Sequence, residues 1–383
     1  MELFQASRQW SSRPVDERFE SVQALHDACL TIRQSAKTSR DGLTYAGLSA
    51  IAVGNEVELL SRATGVQTQF THWAFGQASQ RAEAPAGYLR NLPATLAAQC
   101  LNHGFEKRAS DQVALMFHQN SRLVLRSLTS ERYDRIWNSE ITVRLLDLLD
   151  RGWKVPPARP AHNDPRARPA TAQDVLGDSE FSLSINIGDM IAPAGLYASD
   201  HDMFAFLVDP SRRIQDGSQS GLSRGFFVSN SEVGAASFRV TYFLYRHVCG
   251  NHIVWDASDV KQISIRHVGD ASTRAFAELS AQLVEYDNAS ASDEESKIAR
   301  ARTLRLGTDK QAVLDKLLGM RLPVSKQTVL LAQANADEYA HENDPLSVYG
   351  MVNGLTRIAQ DTPYADERVQ VDRAASKVMS VAF

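Results

Sequence analysis

Ser237-Phe238-Arg239-Val240-Thr241-Tyr242-Phe243-Leu244-Tyr245-Arg246-His247-Val248 is the stretch on which the class of this fold turns. As a helix it would gather Phe238, Tyr242, Tyr245 and Cys249 on one face. As a strand it would set Arg239, Phe243, Tyr245 and His247 against Phe238, Tyr242 and Arg246. Both fit the spacing, and the aromatic content favours the strand. Runs of similar character at 181–187, 203–208, 225–229 and 262–268, with Gly and Asp between them, extend the expectation to a sheet.

Working outward, everything after residue 272 reads as helix, at 272–288, 294–306, 309–319, 325–340, 345–360 and 366–380. Upstream, 113–117 and 122–128 flank the turn residues His118-Gln119-Asn120-Ser121 and predict a hairpin, and 139–150 returns to helical spacing. The segment 156–169 holds five of the thirteen prolines and reads as an extended loop. Nearer the N-terminus, 15–35 alternates helically, and Leu48, Ile51, Val57 and Leu60 suggest a helix over 43–60. Thr71 suits the cap of a helix through 82, and Pro93 the first turn of another that Gly104 would stop. The expected class is α+β: a helical N-terminal region, a central, mostly antiparallel β-sheet and a helical C-terminal region. The expected divisions are a partly mobile arm over 1–42, a helical region over 43–110, a sheet region over 111–270 and a helical region over 271–383.

The 383 residues, 43% of them hydrophobic and 22% charged, exclude a chain disordered throughout or fibrous. Three scattered cysteines argue against a disulfide framework and fit a reducing cytoplasm; no signal-like or membrane-spanning stretch is expected. The net charge of -4 conceals a local asymmetry. Residues 171–209 carry seven acids and no Lys or Arg, 297–326 carry eight basic residues against two acids, and 118–168 carry ten against six. The basic blocks are either solvated faces paired with acids such as Asp293, Glu294 and Glu295, or a surface that tracks phosphates.

No phosphate-binding Gly-rich loop, Gly-x-Ser-x-Gly elbow or His-Glu-x-x-His pair is present, which removes the main support for NTPase, Rossmann, common hydrolase and zinc-protease readings. No catalytic residue, cofactor or metal is therefore assigned. Asp200-His201-Asp202 reads as a polar turn or a small metal site, and the His247, Cys249 and His252 spacing leaves zinc open without an evident fourth ligand. What remains is the interleaving of aromatic and basic residues, which suits a platform for stacking bases while arginines hold phosphates, or equally a core with arginines at its rim.

Three segments, Phe227-Val228-Ser229-Asn230-Ser231-Glu232-Val233-Gly234, 238–245 and Val248-Cys249-Gly250-Asn251-His252, together resemble the central signature of a phage- and plasmid-associated family of unknown function, numbered 932. Pro85-Ala86-Gly87-Tyr88-Leu89 through Asn102, Leu128-Thr129-Ser130-Glu131-Arg132-Tyr133-Asp134-Arg135 and 348–356 are similar to other family segments, so the resemblance spans about 43 to 360. His252 departs from it, standing where many relatives have Gly. The resemblance implies a cytoplasmic protein of a mobile genetic element, near DNA-processing functions. The element order is also similar, by analogy of fold alone, to phage single-strand annealing recombinases.

The expectation is then a non-enzymatic protein that binds, and as a homo-oligomer anneals, single-stranded nucleic acid. Its candidate contacts are Arg132, Arg135, Arg224, Asn230, Arg239, Tyr242, Tyr245, Arg246, Arg300, Arg302 and Arg305, with Ser231 and Glu232 lining a groove or serving as turn residues. The alternatives are an interaction module for a host or phage protein, and a metal-dependent nuclease using the 171–209 carboxylates.

Overall fold

The computed structural model describes residues 14–39, 42–119, 122–155, 157–158, 168–169, 188–193, 195–215, 221–246, 252–253, 263–341, 343–361 and 365–382. Helix α1 (Val22–Ser35) starts at Ser21, whose hydroxyl accepts from the Ala24 N–H at 3.1 Å, and runs directly into β1 (Ala36–Ser39). The stretch expected to be a helix over 43–60 is instead a hairpin of β2 (Leu48–Val53) and β3 (Glu56–Ser61). The reason is the Gly54-Asn55 turn: Gly54 takes φ 63°, and the register then sets Leu48 and Ala50 opposite Ser61 and Leu59. Turn chemistry and a period of two override the spacing of three.

After β4 (Gln67–Phe70), Thr71 caps α2 (His72–Arg81) through the Ala74 N–H. Then come α3 (Ala86–Leu89), α4 (Ala94–Lys107) and the hairpin β5 (Ala114–Gln119) and β6 (Leu123–Thr129). These strands form a first sheet in the order β1-β5-β6-β4-β3-β2, antiparallel except for the parallel pair β4–β6. Helices α2 and α4 supply Ala74, Ala78, Leu101 and Phe105 to a core with Leu48, Leu59, Leu125 and Leu128. Gly104 does not stop α4. A Cβ there would lie 2.3 Å from the Ala82 Cα, so the glycine lets α4 cross tightly against the end of α2. The Asn102 amide donates to the Ala50 carbonyl at 2.8 Å and accepts from its N–H at 2.7 Å, closing part of the open edge of β2 as a further strand would.

Helix α5 (Asn138–Leu149) leads to a small sheet in which β9 (Met190–Pro193) pairs with both β7 (Pro157–Ala158) and β8 (Arg168–Pro169). The rest of the Pro-rich segment and the strand expected at 181–187 lie outside the described residues. The deciding stretch is a strand. It is β13 (Phe238–Arg246) of a second, antiparallel sheet, after β10 (Leu196–Ala198), β11 (Met203–Ile214) and β12 (Leu222–Asn230), and its far side pairs with both β14 (His252–Ile253) and β15 (Ile263–Ile265).

One face of this sheet, with Ala205, Leu207, Phe226, Val228, Phe238, Val240 and Tyr242, is buried with residues of α1, α5 and α6 (Ala271–Asn288). The other face is aromatic: Tyr197 stacks on Phe204, Phe204 on Phe227, Phe227 on Phe243 and Phe243 on Phe206, at centroid distances of 5.2 to 6.3 Å.

The C-terminal helices α7 (Ala291–Thr303), α8 (Lys310–Gly319), α9 (Lys326–Glu338), α10 (Val348–Asp361) and α11 (Ala365–Met379) build their own core, into which the sheet contributes Ile214, Leu222 and Leu244. Ser290, Asp309 and Ser325 cap α7, α8 and α9 with side-chain oxygens. The α+β class is as expected, with helical regions at both ends. Among the described residues no helix is long and apolar enough to cross a membrane.

Candidate nucleic-acid interface

Strand β12 ends in the turn Ser231-Glu232-Val233-Gly234, and almost every polar group of this turn points into the molecule. The Ser231 hydroxyl donates to the His201 carbonyl at 2.6 Å and accepts from the Ala235 N–H at 2.8 Å. The Ser231 carbonyl accepts from the Tyr133 hydroxyl at 2.8 Å. The Val233 carbonyl takes the Trp73 indole N–H at 3.2 Å and the Gln77 amide at 2.7 Å, both from α2. The Asn230 amide nitrogen donates to the Ile136 carbonyl and to the Asn138 side chain, each at 2.8 Å. Gly234, at φ 84°, takes the left-handed conformation that closes the turn.

Glu232 sits at the centre of this joint with 2% of its side chain exposed. One carboxylate oxygen accepts the Asn138 N–H at the start of α5 at 2.8 Å. The other faces the Arg126 Nη1 of β6 at 3.6 Å, an ion pair longer than a hydrogen bond. Burial pushes the Glu232 carboxyl above its ordinary range, opposed by the Arg126 guanidinium and the Asn138 N–H. Arg135 donates to the Glu232 carbonyl and lies over the rings of Tyr133 and Trp137. Beside it His267, stacked on Tyr133 at 5.0 Å, is pushed down to about 4 by burial and is neutral at ordinary pH. The joint thus ties the first sheet, the second sheet and α5 together through buried hydrogen bonds, and its chemistry is positional.

The outward side of the joint is different. Arg239 pairs in register with Ser264 of β15, Arg266 follows two residues later, and Val268 bridges to Tyr133, the neighbour of Arg132. The pairing of Arg239 with Ser264 and the bridge from Tyr133 to Val268 set these three arginines along the 263–268 segment at one end of the second sheet. All three are exposed, and none makes an ion pair among the described residues. The local acids are occupied: Asp134 accepts the Ser272 N–H at 2.8 Å and Asp270 pairs with Arg274 at 2.8 Å. Phe227, half-buried, and Ser229 lie on the same sheet face as Arg239.

The sequence-predicted residues divide accordingly. Arg132 and Arg239 come together on this rim. Arg135 and Asn230, 9% and 1% exposed, are held inside the joint. Arg224 is buried in an ion pair with Glu294 at 2.7 Å, and Tyr242 packs edge-on against Tyr286 at 4.8 Å. These four are committed to interior contacts and do not face a surface that a polymer meets, so a groove of Asn230, Ser231, Glu232 and Arg224 is not what the turn builds. Tyr245 and Arg246 belong to β13, with side chains outside the described residues.

The basic block of the C-terminal helices lies apart, on the second core. Arg305 pairs with Asp344 at 2.6 Å and Lys310 with Asp337 at 2.7 Å, Arg302 lies over Tyr349, and Arg300 is exposed. The neighbouring acids are engaged elsewhere, Glu294 with Arg224 and Glu295 with the Gln215 N–H at 2.9 Å.

Asp200-His201-Asp202 is a turn in which His201 Nδ1 meets Asp200 at 2.6 Å and the ring stacks on Trp73 at 6.1 Å; the pairing with His201 holds Asp200 below its ordinary range. Asp209 accepts from the Ser211 N–H and hydroxyl. Among the described residues no cluster of three His, Cys, Asp or Glu could hold a metal ion. Of the His247, Cys249 and His252 triplet, the first two lie outside the described residues. Arg266 and the joint's partners Arg126, Trp73 and Gln77 escaped the sequence reading: Arg266 meets Arg239 only through the β13–β15 pairing, and nothing local announces it.

No curated protein and no solved structure matches the chain. A family model described as a domain of unknown function (DUF932) matches residues 188–356, from just before β9 of the small sheet into α10, and takes in the 227–234 and 348–356 segments. The segments near 85–102 and 128–135 lie outside that match. Over residues 188–356, which hold the second sheet, the turn built around Glu232 and most of the C-terminal helices, the chain is similar to the DUF932 family.

Proposed function

We propose that this protein binds single-stranded nucleic acid without reading its sequence, as a self-associating cytoplasmic protein of a phage or plasmid. The observation that supports it best is the rim of Arg132, Arg239 and Arg266, exposed and without acidic partners among the described residues, at one end of an aromatic sheet face. Guanidinium groups left unpaired beside ring surfaces suit a polyanion whose bases are free to stack, and Phe227 and Trp73, both half-buried nearby, offer such rings. A single strand is favoured over a duplex because only unpaired bases present their faces.

Fluorescence anisotropy of labelled oligothymidine across a salt series tests it. Three phosphate contacts give a slope of log K against log salt of about −2, at ~0.7 per phosphate on a single strand. The triple variant Arg132→Ala, Arg239→Ala, Arg266→Ala flattens that slope and melts like the parent. No binding at low salt, tighter binding to duplex, or an unchanged slope in the triple variant overturns the proposal.

A further inference from the structure

Beside the core that α4 shares with the first sheet, residues of that sheet line a cavity of about 440 Å³. All six strands contribute to its wall: Lys37 and Ser39 from β1, Leu48 from β2, Leu59 from β3, Thr68 from β4, Phe117 from β5 and Leu123 from β6. Leu43 and Leu115 complete an apolar interior, Val66 stands at its exposed rim, and the remaining polar lining of the described residues is hydroxyl or amide.

One charge faces this space. Lys37, exposed at the rim, holds its ammonium 2.5 Å from the Gln119 side-chain oxygen, and among the described residues no acid lines the cavity. The volume falls within the ~300 to 1,000 Å³ of small-molecule sites, and an apolar interior with one polar anchor is their usual chemistry. A cup made by one sheet, as in the mouth of a barrel, also suits a compact ligand better than an added strand.

We propose that this cavity binds an apolar molecule carrying a single carboxylate, its hydrocarbon part against Leu48, Leu59, Leu115 and Leu123 and its carboxylate on the Lys37 ammonium. The site lies on the first sheet, away from the arginine rim, and is independent of the nucleic-acid reading. Gln119 positions the ammonium, and none of the described lining residues brings an acid to repel an anion.

Isothermal titration of the full chain with dodecanoate, below its micelle concentration, tests the proposal, with 1-dodecanol as the uncharged control. The expected result is saturable 1:1 binding of dodecanoate, weakened at least ~10-fold by Lys37→Glu while dodecanol binding is unchanged. Leu123→Trp, at a half-buried wall position, fills the cup and abolishes binding of both while keeping the parent's circular dichroism and melting temperature. No saturable binding, equal loss of dodecanol in Lys37→Glu, or full binding by a folded Leu123→Trp overturns the proposal. Should Leu123→Trp unfold, Val66→Trp at the exposed rim is the replacement plug, read in the same way.

Discussion

Replacing Arg126 by Met should make the stability of this protein strongly dependent on pH. Arg126 and Glu232 are both almost wholly buried, with a charge separation of 3.6 Å. At an effective dielectric of ~20 this separation corresponds to about 4–5 kcal/mol of attraction. The Glu232 carboxyl already stands above its ordinary range because burial outweighs that attraction, so removing the cation drives it higher. A carboxyl raised in the folded state binds more protons folded than unfolded, so its contribution is fully present below the unfolded pKa and is lost as pH rises through the folded one.

Urea unfolding of Arg126→Met should therefore show several kcal/mol less stability at about pH 8 than at about pH 5, beyond any change in the parent. His267, depressed by burial, works in the opposite direction but equally in both proteins, and cancels in the difference. Adding Glu232→Gln to Arg126→Met should abolish the extra pH dependence, since the amide still accepts the Asn138 N–H. An Arg126→Met protein whose stability changes between these two pH values no more than the parent's refutes the reasoning.

The Arg224–Glu294 pair, 5% and 2% exposed at 2.7 Å, joins β12 to α7, so Arg224→Met alone should cost ~3–5 kcal/mol by stranding a buried carboxylate. Arg224→Met with Glu294→Leu should recover most of that loss in urea denaturation, and a double variant as unstable as the single one would count against it. Gly225→Ala places a Cβ 2.3 Å from the Phe243 ring, which cannot move without breaking the stack with Phe206 and Phe227. A loss of ~1–3 kcal/mol from overpacking is expected, read as a lowered melting temperature; a neutral result means the ring has room that the structure does not show.

The helices beyond 271 were legible from their apolar spacing, and the 114–129 hairpin because a polar turn separates two β-rich runs. The 43–60 region misled because Leu48, Ile51, Val57 and Leu60 satisfy a helical spacing by coincidence, whereas Gly54-Asn55 carried the deciding information. Gly104 illustrates the same ambiguity: a glycine late in a helix can end it or admit a neighbour, and the neighbour Ala82 is distant in sequence. The polar residues of 227–234 were visible as unusual, but their partners Trp73, Gln77, Arg126 and Asn138 come from elements a chain reading cannot bring together. The strand order β1-β5-β6-β4-β3-β2 is hidden for the same reason, being fixed by nonlocal pairing.

That inward commitment bears on the proposed function. A turn that buries its Asn, Ser and Glu side chains and aims them inward has little left to offer a ligand, yet it fixes what surrounds it. Tyr133 is held by the Ser231 carbonyl and bridges to Val268, and β13, which carries Arg239, begins a few residues after Gly234. Arg132, Arg239 and Arg266 therefore project from backbone that buried hydrogen bonds and strand pairing hold in place. A polyanion meeting them loses less ordering entropy than it would on loops, and affinity gained that way needs no further contact. On the proposed reading the signature acts at one remove: a mutation of Asn230 or Glu232 should weaken binding only to the extent that it loosens the joint, in step with stability, whereas the rim arginines should weaken it with stability intact.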